Sequence, residues 1–490
     1  MPLAPQHHPQ ILGVGRSIAM LLISLLWATL LGFWADVPAQ GIVLLTLEAW
    51  CLNQVLRLLA GPAQSSPLDV LFITGLVVYT LQTLILRSLP PWTDTFPDSV
   101  LYDLHANALL RHWEGESVDA ATFRLKGLMN QGIATWLPGD SLSYGEVLGS
   151  SRYLYQWLVA QIYVFTDGSR TTVLFTNLPL LAGMAGGVYL LADALFGHRR
   201  VAWLAAGLVM LDSNFALWGS ILLREALLML LVVLALLGGV RLLRRMGPMC
   251  PSIVLSLITL SLLALIRFNA VASFLLAAGI ALAAARRHLT VRRALAGLAA
   301  IILLVLAAVH GLPESSLNGT RSLPLHIMAE HLKILKSTEH TLTAATSSQL
   351  DSQAKMDSVR LKWHQELQTQ PLWLTGLKAV SRSLMGPYPW VALTHGIAGD
   401  NFYELMYPGM TLWLLFLPLF LLALWRLPIA DDPAVLLCSV WLLSEAIIYV
   451  IGYGEFSGRE RMMAQPLLWV FAARGMAFLR PTGIAREPAA

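Results

Sequence analysis

Charge is what this sequence has least of. Only 13% of its 490 residues are Asp, Glu, Lys or Arg, against about 25% in ordinary soluble domains. With 56% hydrophobic residues, the shortage excludes a water-soluble globular protein and indicates a polytopic membrane protein. Cysteine is scarce too. Cys51, Cys250 and Cys438 lie in or beside apolar runs without metal-ligand spacing, which excludes a disulfide framework and predicts buried thiols. There is no glycine-rich phosphate loop, no serine nucleophile elbow and no zinc motif. No internal repeat or low-complexity tract stands out. The net charge of +4 is accounted for by arginine-rich short loops and does not call for nucleic acid. No convincing cleavage site follows the first apolar run, which reads as a retained span.

What the sequence has is apolar runs. They fall near 16–34, 40–60, 68–88, 171–195, 200–218, 220–240, 251–267, 270–285, 293–310, 409–427, 433–452 and 463–479. The expected fold is an all-α polytopic membrane protein of about 12 transmembrane helices. Two large polar insertions interrupt it, each carrying amphipathic helices. The chain then divides into a three-span segment (1–88), a first loop (89–170), a six-span core (171–310), a second loop (311–408), and a last three-span segment with a tail (409–490). His198-Arg199-Arg200, Arg241 with Arg244-Arg245, Arg286-Arg287 with Arg292-Arg293, and Arg426 alternate along the chain so as to share one side. The positive-inside rule makes that side cytoplasmic. Both termini are then cytoplasmic and both insertions lie on the outer face, with the plasma (inner) membrane the expected location.

The first insertion opens with Thr95 to Gly115. Leu101, Leu104, Ala108, Leu109 and Trp113 recur there at helical spacing, predicting an amphipathic helix. Pro97 and Asp98 suit its first turn. Asp94, Asp98 and Asp103 are candidate catalytic carboxylates just outside a span, although a capping aspartate on a surface helix has the same pattern. Farther on, Arg152 to Trp157 is rich in aromatics, as membrane interfaces are. In the second insertion an amphipathic helix is expected around Gln349 to Gln370. Pro371 should open another helix that ends before Gly386.

Ionisable residues also fall at the outward ends of spans. Arg224-Glu225, Arg267, and Glu455 with Arg459, Glu460 and Arg461 are of this kind. Such residues are costly at membrane depth and face cavities or each other. Structural pairing and snorkelling to headgroups would account for any one group. Their convergence on one face, against the cytoplasmic bias of arginine, points instead to anionic phosphate, which guanidinium binds bidentately. Glu445 and Asp193, inside or near apolar runs, read as polar contacts between helices. Asn318-Gly319-Thr320 fits a glycosylation acceptor, a triplet common by chance. His326, His331, His340 and His364 are scattered without a metal-ligand pattern.

Four stretches together resemble the multi-spanning GT-C glycosyltransferases, near the protein mannosyltransferases and bacterial lipid A sugar transferases. They are Pro97-Asp98-Ser99 with Tyr102, Ala106 or Ala108, and Trp113; Leu195 to Arg199 leading into Ala202 to Leu211; Trp218-Gly219-Ser220 with Leu223-Arg224-Glu225; and Arg459 to Gly475, including Arg461, Gln465-Pro466 and Ala472 to Gly475. Each is loose, and their order is more specific than any one of them. The resemblance covers residues 92 to 478 apart from the second insertion. It implies a sugar donor on a polyprenyl phosphate and inverting transfer on the outer face to a lipid, glycan or protein acceptor. A first-loop acid is then the general base. Asp98 matches that position, with Asp103 or Asp94 in support, Glu225 and Tyr102 nearby, and Arg461, Arg267, Arg224 and Arg459 on the lipid phosphate. The spacing of the three aspartates departs from the family, in which two acids are commonly adjacent or one residue apart. No counterpart of the soluble C-terminal domain of some members is expected.

Two other classes compete. A polysaccharide polymerase or O-antigen-type ligase would use Arg321, His326, Arg360 and His364 of the second loop. A transporter or flippase would show broken helices or charges at mid-membrane, for which only Glu445 speaks. No cofactor is required. Asp94 and Asp98 could hold a divalent cation, but a lipid-phosphate donor carries fewer charges than a nucleotide donor.

Overall fold

The computed structural model describes residues 8–61, 64–89, 99, 102–103, 106–107, 110, 153–222, 224–246, 249–285, 366, 369–386, 405–453 and 458–479. The described residues form helices, with no strand among them. In order they are α1 (His8–Ala35), α2 (Ala39–Ala60), α3 (Ser65–Ser88), α4 (Tyr153–Thr166), α5 (Arg170–Phe196), α6 (Arg199–Leu211), α7 (Ser213–Gly219) and α8 (Glu225–Arg244). Then come α9 (Met249–Ile266), α10 (Phe268–Ala284), α11 (Leu372–Met385), α12 (Tyr407–Arg426), α13 (Pro433–Tyr453), α14 (Gly458–Arg461) and α15 (Gln465–Phe478). Seven of these are long and apolar enough to cross a membrane, or eight if the bent pair α6 and α7 is one span. The protein is an all-α membrane protein. The expected run near 293–310 lies outside the described residues.

Hydrophobicity all round a helix means burial on all sides. Helix α5 shows it: 89% of its most apolar stretch is buried inside the protein, against 28% for α1. Helices α2, α3, α6 and α8 pack around α5. Leu22, Leu26, Leu30, Phe33 and Trp34 of α1 are exposed, as lipid-facing residues of an outer helix are. Lipid supplies no hydrophobic drive between helices, so close packing must come from small residues. Gly75 lies against Ala182, and Gly186 and Gly187 of α5 admit Leu56 and Val233. The tightest approach is Gly475 of α15, where a methyl group would collide with the backbone carbonyl of Leu419 in α12. Cys438 is a buried thiol as expected, but Cys51 is exposed on α2. Its helix lies at the edge of the bundle, so an apolar sequence context did not mean a protein interior there.

The two ends of the bundle differ. Arg241 at the end of α8 donates to the carbonyl of Leu59 at the end of α2, and Gln64 before α3 donates to Asp193 near the end of α5. Arg244 pairs with Asp432 before α13. Arg57, Arg199, Arg200 and Arg426 lie at the same helix ends. This is the basic end; the opposite one is the far end.

Between the ends, the apolar run expected at 200–218 as one span is broken. Helices α6 and α7 meet at 54°. Asp212 causes the break by capping α7, its Oδ1 accepting from the Asn214 amide at 3.1 Å. A break frees backbone groups that lipid cannot satisfy. Side chains take them up: Tyr79 and Gln82 of α3 donate to the carbonyls of Val209 and Met210 at 3.1 and 3.0 Å. Asn177 of α5 donates to the carbonyls of Gly219 and Ile221 at 2.9 and 3.2 Å.

Candidate functional site

Two polar clusters stand out, one at the far end and one at the helix break between the ends. The first joins the first insertion to the bundle. Ser99, Tyr102, Asp103, Ala106, Asn107 and Leu110 are all helical, and three- and four-residue steps place them on one face. Ser99, Tyr102 and Ala106 are fully buried. The apolar set read from the sequence, Leu101, Leu104, Ala108, Leu109 and Trp113, lies outside the described residues. The face seen against the bundle is therefore a mixed polar and aromatic one. Tyr102 packs edge-on against Tyr155 of α4, centroids 5.1 Å apart.

Asp103 is the hub. Its Oδ1 accepts from the Tyr163 hydroxyl at 2.5 Å and from the Asn107 amide at 3.2 Å. Its Oδ2 lies 3.8 Å from Arg170, the first residue of α5. Arg170 also donates to the Ser99 hydroxyl at 3.0 Å. Burial, and then the Asp103 carboxylate beside it, hold the Tyr163 phenol above its ordinary range, so Tyr163 stays a proton donor. The arrangement holds a negative charge beside a guanidinium and clamps the insertion onto α4 and α5.

The neighbouring helix ends carry the other expected residues. Arg224 is buried and donates to the Ile266 carbonyl at 2.7 Å, closing α8 against α9. Glu225, also buried, starts α8 within electrostatic reach of Tyr155. Arg267 sits over the Tyr449 ring at 5.1 Å, and Asn269 reaches Glu445 at 3.5 Å. Glu445 thus contacts another helix, as expected. Asp94 and Asp98 lie outside the described residues. So do Arg321, His326, Arg360 and His364. For Arg459 the backbone alone is described, helical in α14.

The second cluster was not anticipated. Asp212, fully buried at the helix break, accepts from the indole of Trp469 at 3.0 Å. Arg461, expected at a lipid phosphate, is 3% exposed and turned inward toward this carboxylate. It donates to the carbonyls of Ser383 and Leu384 at 3.1 and 3.2 Å, which end α11, and lies 5.6 Å from the centre of the Trp413 ring. Trp413 donates to the same Leu384 carbonyl at 2.6 Å. Helix α11 starts and stops where the sequence predicts, and Arg382 binds buried Glu366 bidentately at 2.7 and 2.9 Å. Gln465 and Asn214 complete the cluster, and Gly409 of α12 presses on Asp212 and Asn214 where any side chain would collide. The available signal was Asp212-Ser213-Asn214, a capping triplet inside an apolar run. Arg170, Tyr155 and Tyr163 were missed because nothing local marks a partner fifty or more residues away.

No protein-family model, no curated protein and no solved structure matches this chain. Among the described residues no group of His, Cys, Asp and Glu is arranged to hold a metal ion.

Proposed function

We propose that the protein is a glycosyltransferase of GT-C type, moving a sugar from a polyprenyl-phosphate donor to a lipid, glycan or protein acceptor. In this reading the chain has about 12 spans in the plasma membrane, both termini are cytoplasmic and the far end is the outer face. The observation that carries it is the Asp103–Tyr163–Arg170–Ser99 cluster. It fixes to the helix ends the insertion in which Asp98 directly precedes Ser99. Asp98 takes the proton of the acceptor hydroxyl as its oxygen bonds to the anomeric carbon. The bond from that carbon to the phosphate oxygen breaks from the opposite side with its electron pair, which inverts the centre. Negative charge gathers on the leaving lipid phosphate, and Arg224 and Arg267 lie at the helix ends where a guanidinium could stabilise it. Asp103, whose Oδ1 already has two donors, positions the insertion. Asp94 and Asp98 would hold a divalent cation if one is used.

The test is transfer from labelled polyprenyl-phosphate sugar in membranes. Asp98→Asn should keep folding and insertion while losing about 10²–10⁴-fold in rate, the usual value of a general base. Near wild-type activity would remove Asp98 from the role.

A second reading is favoured by one observation. The broken α6–α7 pair with buried Asp212 at the break is the kind of element transporters use. A transporter of lipid-linked sugar would move its substrate between leaflets of a sealed vesicle without any glycosidic product. Product formation without an accompanying movement between leaflets decides for the transferase.

A further inference from the structure

The Asp212 cluster contains polar atoms that the protein leaves unsatisfied. Gln465 is 1% exposed, Asn214 2% and Arg461 3%. The Oε1 of Gln465 makes no hydrogen bond, and its amide nitrogen is directed at Asp212. The Oδ1 of Asn214 and the Nε of Arg461 are also without a partner. Burying such a group unpaired costs about 1–3 kcal/mol, and a fold seldom carries several in one place unless something else fills them. These atoms belong to three separate elements, α7, α14 and α15, and converge on one carboxylate.

The chemistry of the cluster narrows what fits. A cation would meet the Arg461 guanidinium, and an anion would meet the Asp212 carboxylate. A neutral group faces neither penalty. The open positions are mixed in kind: acceptors on Asn214 and Gln465 and a donor on Arg461. A hydroxyl, which both donates and accepts, complements such a set. Two indoles flank it, Trp469 bonded to Asp212 and Trp413 under Arg461, with ring centroids 5.4 Å apart. Carboxylate, amides, guanidinium and indole together are the groups that recognise adjacent hydroxyls on an apolar ring face.

We infer that the polar cluster of Asp212, Asn214, Arg461 and Gln465 binds a neutral hydroxylated group, and that this group is the sugar head of the lipid-linked substrate. The sugar's identification rests on the lipid-linked-sugar substrate proposed above; the hydroxyl chemistry rests on the cluster alone. The other source of the same chemistry is ordered water.

The experiment uses the full chain in nanodiscs, read by thermal unfolding. Wild type and Gln465→Leu are titrated with polyprenyl phosphate and with polyprenyl-phosphate hexose. The sugar-bearing lipid should stabilise wild type beyond bare polyprenyl phosphate, and Gln465→Leu should lose that increment while keeping the response to the bare lipid. Equal stabilisation of wild type by both lipids overturns the inference. So does an increment that survives in Gln465→Leu, or a Gln465→Leu protein that gains stability without ligand and binds both lipids as before; the cluster then holds water only. If Gln465→Leu does not fold, Asn214→Ser, which keeps the backbone amide that caps α7, takes its place with the same expected and overturning results. Transfer is measured separately on wild type. A sugar increment without transfer leaves the binding site standing and removes the transferase reading, whereas transfer without the increment does the reverse.

Discussion

At the scale of single residues, several of the described polar contacts tie distant elements together. The Tyr163–Asp103 hydrogen bond is the sharpest case. Tyr163→Phe removes one donor to a carboxylate while keeping the ring, and a hydrogen bond to a charged group is worth about 1.5–3 kcal/mol. Tyr163 is buried and Asp103 partly so, so the lower end of that range is expected, a fall in midpoint of about 1 °C per kcal/mol for a chain this large. Arg170→Lys should cost less, since the Arg170–Asp103 pair is about one-third and one-quarter exposed and solvent-screened pairs contribute only about 0–1 kcal/mol. If Arg170→Lys proves as damaging as Tyr163→Phe, the Ser99 contact rather than the ion pair holds the insertion. Capping signals such as Asp212 were legible in principle. The partner of Asp103 was not, because Tyr163 and Arg170 lie sixty and more residues away and no local pattern encodes that distance.

At the scale of elements, periodicity served well where one face is lipid or water. The limits of α11 follow from Pro371 and Gly386, and the apolar runs that fall within the described residues are helical over most of their expected lengths. It failed at α6 and α7, where an apolar composition concealed a 54° break. The break depends on side chains from α3 and α5 that no pattern within residues 200–218 reveals. Helix pairing was likewise invisible. Gly475 reads as one more small residue, yet it sets the separation of α15 and α12. Gly475→Leu should separate the two helices and lower stability by several kcal/mol, since overpacking costs about 1–3 kcal/mol even where neighbours can move and a backbone carbonyl cannot. Gly279→Leu, where nothing lies in the way, is the control and should remain near wild type. Thermal unfolding in detergent compares them.

At the scale of the whole molecule, the segregation of arginine was the most informative feature of the sequence. The structure gathers the basic loops it describes at one end. In a cysteine-free background, Asp167→Cys, in the exposed turn between α4 and α5, should react with an impermeant thiol reagent on intact cells. His198→Cys, exposed at the basic end, should react only after permeabilisation. The opposite pattern would reverse the orientation and place the candidate site in the cytoplasm.

Helix α15 has one more consequence. Its 14 residues make about 21 Å of helix at 1.5 Å per residue, while the hydrocarbon of a bilayer is about 30 Å thick. Starting from the basic end, it stops well short of the opposite headgroups. Most of α15 is buried among its neighbours, so its head lies at membrane depth inside the protein. Gln465 there is closed off from both lipid and water. A substrate group that is to reach it must pass between helices, and reconstitution in lipids of increasing chain length, which draws the headgroups farther from it, should progressively lower activity.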